Sequence, residues 1–118
     1  MKLDIQLFGL DQNISNNKGD DVYLRKANQI HGFFEDRGYV ENCREISVPK
    51  KDMLDLISRI KAVLAQHELA PTLLPTTPGF FYGSYEYDDW YFEQLEEYLP
   101  QIENLIKPNA KYKYYCWY

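Results

Sequence analysis

Cysteine is scarce in this chain: Cys43 and Cys116 are the only two among 118 residues. Two thiols behind a start that carries no secretory signal read as free thiols in a reducing cytosol, and they exclude a disulfide-stapled scaffold. Long hydrophobic runs are missing too. No apolar stretch reaches 18 residues and Met1-Lys2-Leu3-Asp4 opens no leader, so neither a membrane span nor a signal peptide is expected. Basic charge is in deficit, with 13 Lys and Arg against 18 Asp and Glu and a net charge of −5. That balance argues against a nucleic-acid partner held through its phosphates and fits a basic protein partner or a solvated acidic surface. With two histidines, the chain has no His-Glu-x-x-His, no Cys-x-x-Cys, no phosphate-cradling Gly-Lys-Ser and no Gly-x-Ser-x-Gly. The expectation is a protein that is not an enzyme, with no metal and no cofactor.

Aromatic side chains are abundant instead: 16% of the residues, 11 of them Tyr. Tyrosine buries a broad apolar ring and keeps a hydroxyl at the rim, so it serves a small core or a recognition surface equally well. The overall balance, 45% hydrophobic and 26% charged, is that of a single globular domain over residues 1–118.

Periodicity gives the elements. Leu3, Ile5 and Leu7 alternate with polar residues and predict an N-terminal strand ending at Phe8. Gly9 to Asp21 reads as a loop with its tip at Asn16–Asp20. Val22 to Asp36 predicts a helix with Tyr23, Ala27, Ile30, His31 and Phe34 on one face, capped by Asp20 or Asp21 and closed at Gly38. Cys43 to Val48 predicts a central strand. Pro49 opens a helix over Lys50 to His67 with Met53, Ile57, Ile60 and Leu64 as its stripe. Ala70 to Thr77 reads as extended, and Phe80 to Ser84 as a short strand or tight connection. A last helix begins near Asp88 and buries Phe92, Leu95, Leu99, Ile102 and Ile106, with a kink or break expected near Tyr98 from Pro100. The alternating Lys111–Tyr118 segment predicts a terminal strand with Tyr112, Tyr114 and Cys116 on one side and Lys113, Tyr115 and Trp117 on the other. The fold class that follows is α+β: a small, mainly antiparallel sheet of N-terminal, central and C-terminal strands packed with three helices.

Two groups of residues are candidates for function. Arg25, Asn28 and His31 recur every third residue and predict a polar line along the first helix. They form either a ligand pocket or a set of hydrogen bonds that ties down a neighbouring loop, such as the one holding Thr76 and Thr77. The second group lies in Phe80–Tyr91, where aromatics mix with acids. Tyr82, Tyr85, Glu86, Tyr87 and Asp88 make the candidate recognition patch. The structural alternative is that Phe80, Phe81 and Trp90 fill the core while Glu86, Asp88 and Asp89 serve the helix start.

Two segments carry a family resemblance: Arg25-Lys26-Ala27-Asn28-Gln29-Ile30-His31-Gly32-Phe33-Phe34, and Leu73-Leu74-Pro75-Thr76-Thr77-Pro78-Gly79-Phe80-Phe81-Tyr82-Gly83-Ser84-Tyr85-Glu86-Tyr87-Asp88. With Cys43 in its strand, the chain after Val22 resembles a widespread family of small phage and prophage proteins, mainly of Gram-positive bacteria, to which no activity is attached. Pro100 departs from that family's pattern. The resemblance implies a bacterial host cytoplasm. The leading expectation is therefore a phage accessory protein that binds a bacterial host protein and inhibits a host defence system. The alternatives are a protein that binds or sequesters a nucleotide through Arg25, Asn28, His31 and a stacking Tyr82 or Tyr85, and a virion structural or assembly protein.

Overall fold

A computed structural model describes residues 9–76 and 86–118. The elements run β1 (Asp11–Asn16), β2 (Asp21–Arg25), α1 (Asn28–Asp36), β3 (Ile46–Val48), α2 (Lys50–Ala65), a 3-10 turn (His67–Leu69), α3 (Ala70–Leu73), α4 (Asp89–Glu103) and β4 (Tyr112–Trp117). The four strands form one antiparallel sheet in the order β2-β1-β4-β3, so the fold is α+β as its periodicities predict. The strand expected at Leu3–Phe8 lies outside the described residues.

The stretch expected to be a loop is the first correction. β1 is polar, and only its alternation marks it: Gln12 and Ile14 are fully buried while Asn13 and Ser15 are half-buried. It sits second in the sheet, paired with β2 on one edge and β4 on the other. Pairing on both edges satisfies its backbone, which outweighs weak intrinsic strand preference. The second correction follows from it. Val22–Arg25 is not helical but returns as β2, with Val22 and Leu24 buried and Asp21 and Tyr23 exposed. Asn16 makes the hairpin turn, its Oδ1 accepting from the backbone N–H of Lys18 (2.9 Å) and Asp20 (3.0 Å) while Gly19 takes φ +93°.

α1 starts only at Asn28, and neither Asp20 nor Asp21 caps it. Ala27 occupies the cap, and its N–H donates to Gln12 Oε1 at 2.8 Å. The helix ends as expected at Gly38, whose φ of +81° permits bonds from Gly38 N–H to Glu35 and from Tyr39 N–H to Phe34. The central strand shrinks to Ile46–Val48 because Cys43 adopts φ +63° and Arg44 N–H folds back onto Glu41, so the chain turns where a strand was expected.

α2 buries Met53, Ile57 and Ile60 of its expected stripe together with Leu56 and Val63, while Leu64 is half-buried, and it ends at Ala65. Ala70–Leu73 is a helical turn rather than extended, since Pro71 falls in the first turn where its missing N–H does no harm. Asp88 caps α4, accepting from Tyr91 N–H at 3.1 Å. The break expected near Tyr98 is absent: α4 continues through the exposed Pro100 to Glu103. Pro100 forfeits a single helical bond, the one its N–H would make to the carbonyl four residues back, and the helix runs on for only three residues beyond it.

One side of the sheet carries the core. Ile14, Leu24, Tyr112 and Tyr114 meet Ile30 and Phe34 of α1, the α2 stripe, and Leu95 and Ile102 of α4. The Tyr114 ring stacks on Phe34 with centroids 4.2 Å apart.

Candidate functional site

Alternation along the strands decides what points the other way. The register places Arg25, Asp11 and Trp117 in one row across β2, β1 and β4, then Tyr23, Asn13 and Tyr115, then Asp21, Ser15 and Lys113. Ser47 of β3 extends the third row. Tyr23 is 54% exposed; Tyr115, Trp117 and Asn13 are half-buried.

The rings touch one another. Tyr115 and Trp117, two residues apart on β4, have centroids 5.2 Å apart, and Tyr23 reaches Trp117 from two strands away at 6.2 Å. Asp11 anchors the group: its Oδ1 accepts from Arg25 Nη1 at 2.6 Å and from the Tyr23 hydroxyl. Burial, then the Asp11 hydrogen bond, pushes the Tyr23 hydroxyl above the usual phenol range. Loss of water around Tyr115, then the nearby Cys43, does the same there. Both hydroxyls therefore stay protonated and act as hydrogen-bond donors and acceptors. A hollow of about 430 Å³ lies at the β4 side, lined by Asn13, Cys43, Arg44, Glu45 and Tyr115.

Three of the cations around this face are matched. Arg25 pairs with Asp11 at 2.6 Å, Arg44 with Glu41 at 2.7 Å, and Lys113 lies 3.9 Å from Glu45. The result is an aromatic surface fringed by amide, hydroxyl and ion-paired groups, with little net charge. Among the described residues no three His, Cys, Asp or Glu side chains gather as a metal site.

The polar line expected along the first helix is divided by the fold. Arg25 ends β2 on the outer face, whereas Asn28 and His31 are buried in α1. His31 Nδ1 lies 2.7 Å from the Tyr114 hydroxyl, which also accepts from Gln12 Nε2 at 3.1 Å. Gln12 Nε2 reaches the Ala27 carbonyl at 3.0 Å as well. The Tyr114 hydroxyl thus accepts from Gln12 and shares a second hydrogen bond with His31 Nδ1, whose direction follows the tautomer of the ring. Burial lowers the His31 pKa to about 4, so the ring is neutral near pH 7. This arrangement ties α1 to β4 and so pins it to the two central strands; Thr77 of the loop-tying alternative lies outside the described residues.

Of the aromatic and acidic patch, Tyr82 and Tyr85 lie outside the described residues. Glu86 is exposed, and Asp88 is the α4 cap. Tyr87 is 39% exposed; its hydroxyl accepts from Thr76 N–H at 3.2 Å and its ring lies 5.2 Å from Tyr91. Trp90, expected as a core plug, is 55% exposed because it sits on the outer side of the first α4 turn. Tyr91 fills the core in its place, its hydroxyl donating to the Leu74 carbonyl at 2.6 Å.

Tyr23 and Asn13 stay hidden as long as their segments are taken for helix and loop. Period two in Gln12 and Ile14, then in Val22 and Leu24, is the signal that marks them. Compared with protein-family models, with curated proteins and with solved structures, the chain matches none. No helix among the described residues is long and apolar enough to cross a membrane.

Proposed function

We propose that this chain is a non-catalytic binding protein that engages a protein partner through the outer face of its sheet, with Tyr23, Tyr115 and Trp117 as anchors. The observation that carries the reading is the mixture itself. Rings presented on a rigid sheet bring large contact area at small conformational cost, and Asn13, Ser15 and the tyrosine hydroxyls supply adaptable hydrogen bonds. A nucleic-acid strand needs cations free to meet phosphates, and Arg25, Arg44 and Lys113 each face a carboxylate. The resemblance to phage and prophage proteins supports a bacterial host protein as the partner, with inhibition of a host defence as the role. A nucleotide binder built on Arg25, Asn28 and His31 has less support, because the sheet and helix separate the three and the last two are buried.

The test is affinity capture from lysate of a Gram-positive host, comparing the native chain with a Tyr115→Ala/Trp117→Ala double variant of matched thermal stability. One host protein held by the native chain and lost by the variant is the expected result. Equal retention by both, or recovery of a nucleotide and no protein, overturns the reading.

A further inference from the structure

The edge of the same sheet points to how a partner is held. In an antiparallel ladder, residues alternate between pairs that exchange hydrogen bonds and pairs that do not. Asn16 N–H bonds the Asp20 carbonyl at 3.0 Å at one end of the β1–β2 ladder, and Lys26 N–H bonds the Leu10 carbonyl at 2.7 Å at the other. With Val22 opposite Ile14 and Leu24 opposite Gln12, the alternation turns the backbones of Val22 and Leu24 toward β1. Those of Asp21, Tyr23 and Arg25 therefore turn away from the sheet, and β2 is its terminal strand among the described residues.

α4 covers only one end of this edge. Arg25 N–H meets the Tyr98 hydroxyl at 3.3 Å, and the Arg25 carbonyl accepts from Gln94 Nε2 at 3.1 Å. Toward Asp21 a groove of about 300 Å³ opens, with Asp21 and Val22 on the strand side and Gln101 and Asn104 on the helix side. Its charge is acidic. Asp21 is exposed, Glu97 stands exposed one turn before Gln101, and the C-terminal pole of α4 ends at Asn104. Asp20 also lines the groove, its charge matched by Lys107 at 2.6 Å.

We infer that this groove accepts an extended, basic peptide segment of the partner, which adds to β2 as a further strand. Its main chain bonds the outward N–H and C=O groups of Asp21 and Tyr23, and its Lys or Arg side chains reach Asp21, Glu97 and the end of α4. This is the strand-addition mode of peptide recognition, in which main-chain bonds supply affinity and alternate side chains supply selection. It deepens the proposed function and rests on it only for the existence of a protein partner.

The probe is a blocked hexapeptide of alternating Lys and Val, followed by amide proton–nitrogen correlation spectra of the full chain. The expected result is a shift of the Asp21 and Tyr23 amides and saturable binding. Methylating the peptide's backbone nitrogens weakens it about 10-fold or more, the equivalent of losing one or two hydrogen bonds. A Glu and Val peptide leaves the native chain unmoved and binds Asp21→Lys instead. The Tyr115→Ala/Trp117→Ala variant still binds the Lys peptide, so failure of the outer face and failure of the edge give different results. Absence of any shift at ~1 mM peptide, enough to half-fill a site with a Kd of about 1 mM, overturns the inference. So does equal binding of the methylated peptide, or protection of the same two amides in a concentration-dependent dimer, which would make a second copy the occupant.

Discussion

Tyr114 and Tyr115 are neighbours in the chain and stand on opposite sides of one sheet. The inner residue is fully buried, stacked on Phe34, and its hydroxyl is engaged by His31 and Gln12. The outer one is half-buried, borders an open hollow and touches Trp117. The same residue type thus closes a core on one face and offers a surface on the other. Tyrosine content alone does not separate these uses; the parity of the position within β4 does.

Substitutions sharpen that contrast. Tyr114→Ala has the largest expected effect, a loss of about 3–5 kcal/mol in chemical denaturation, as for other large core aromatics. If it costs no more than Tyr115→Ala, the two faces are not distinct in the way described.

The pH response of the inner face comes next. His31 titrates near 4 in the folded chain against the ordinary 6.5. As pH falls from about 6.5, the unfolded chain takes up the proton first. Stability is thus complete above about 6.5 and is lost progressively toward pH 4. The loss is on the order of 3 kcal/mol, since each tenfold difference in proton affinity between the folded and unfolded chain is worth about 1.4 kcal/mol. Melting curves between pH 4 and 7 should show this slope in the native chain and a shallower one in His31→Gln.

Smaller effects belong to the periphery. Asp88→Ala removes the cap that accepts from Tyr91 N–H and should lower stability by about 1 kcal/mol. Tyr115→Ala and Trp117→Ala should change stability by less, about 0.5–1 kcal/mol each, while weakening partner binding at least about 10-fold if they are anchors. Isothermal titration with the captured partner reads that difference.

How far these features are legible in the sequence differs by element. α2, the Asp88 cap, the Gly38 stop and the two faces of β4 follow from spacing and capping chemistry alone. β1 does not: Gln12, Asn13, Ser15 and Asn16 are poor strand formers, and they form one because partners as far as 102 residues away complete their hydrogen bonds. With β1 taken for a loop, Val22–Arg25 can only join the following helix, whose spacing it also fits. That single ambiguity sets Arg25 beside Asn28 and His31 and conceals Tyr23 from the recognition surface. The polar residues stand out in the sequence, but their purpose depends on a strand contributed by the far end of the chain.

The two cysteines carry a practical consequence. Cys43 is exposed on the rim of the outer hollow beside Tyr115, whereas Cys116 is buried and its thiol is pushed up to about 11 by burial. A maleimide dye at neutral pH should therefore couple to Cys43 alone, without any engineering of the chain. The label then sits beside the proposed anchors, so its emission should change when a partner covers that face. Intact mass with a single added dye checks the labelling, and a Cys43→Ser variant that takes up no dye confirms the position.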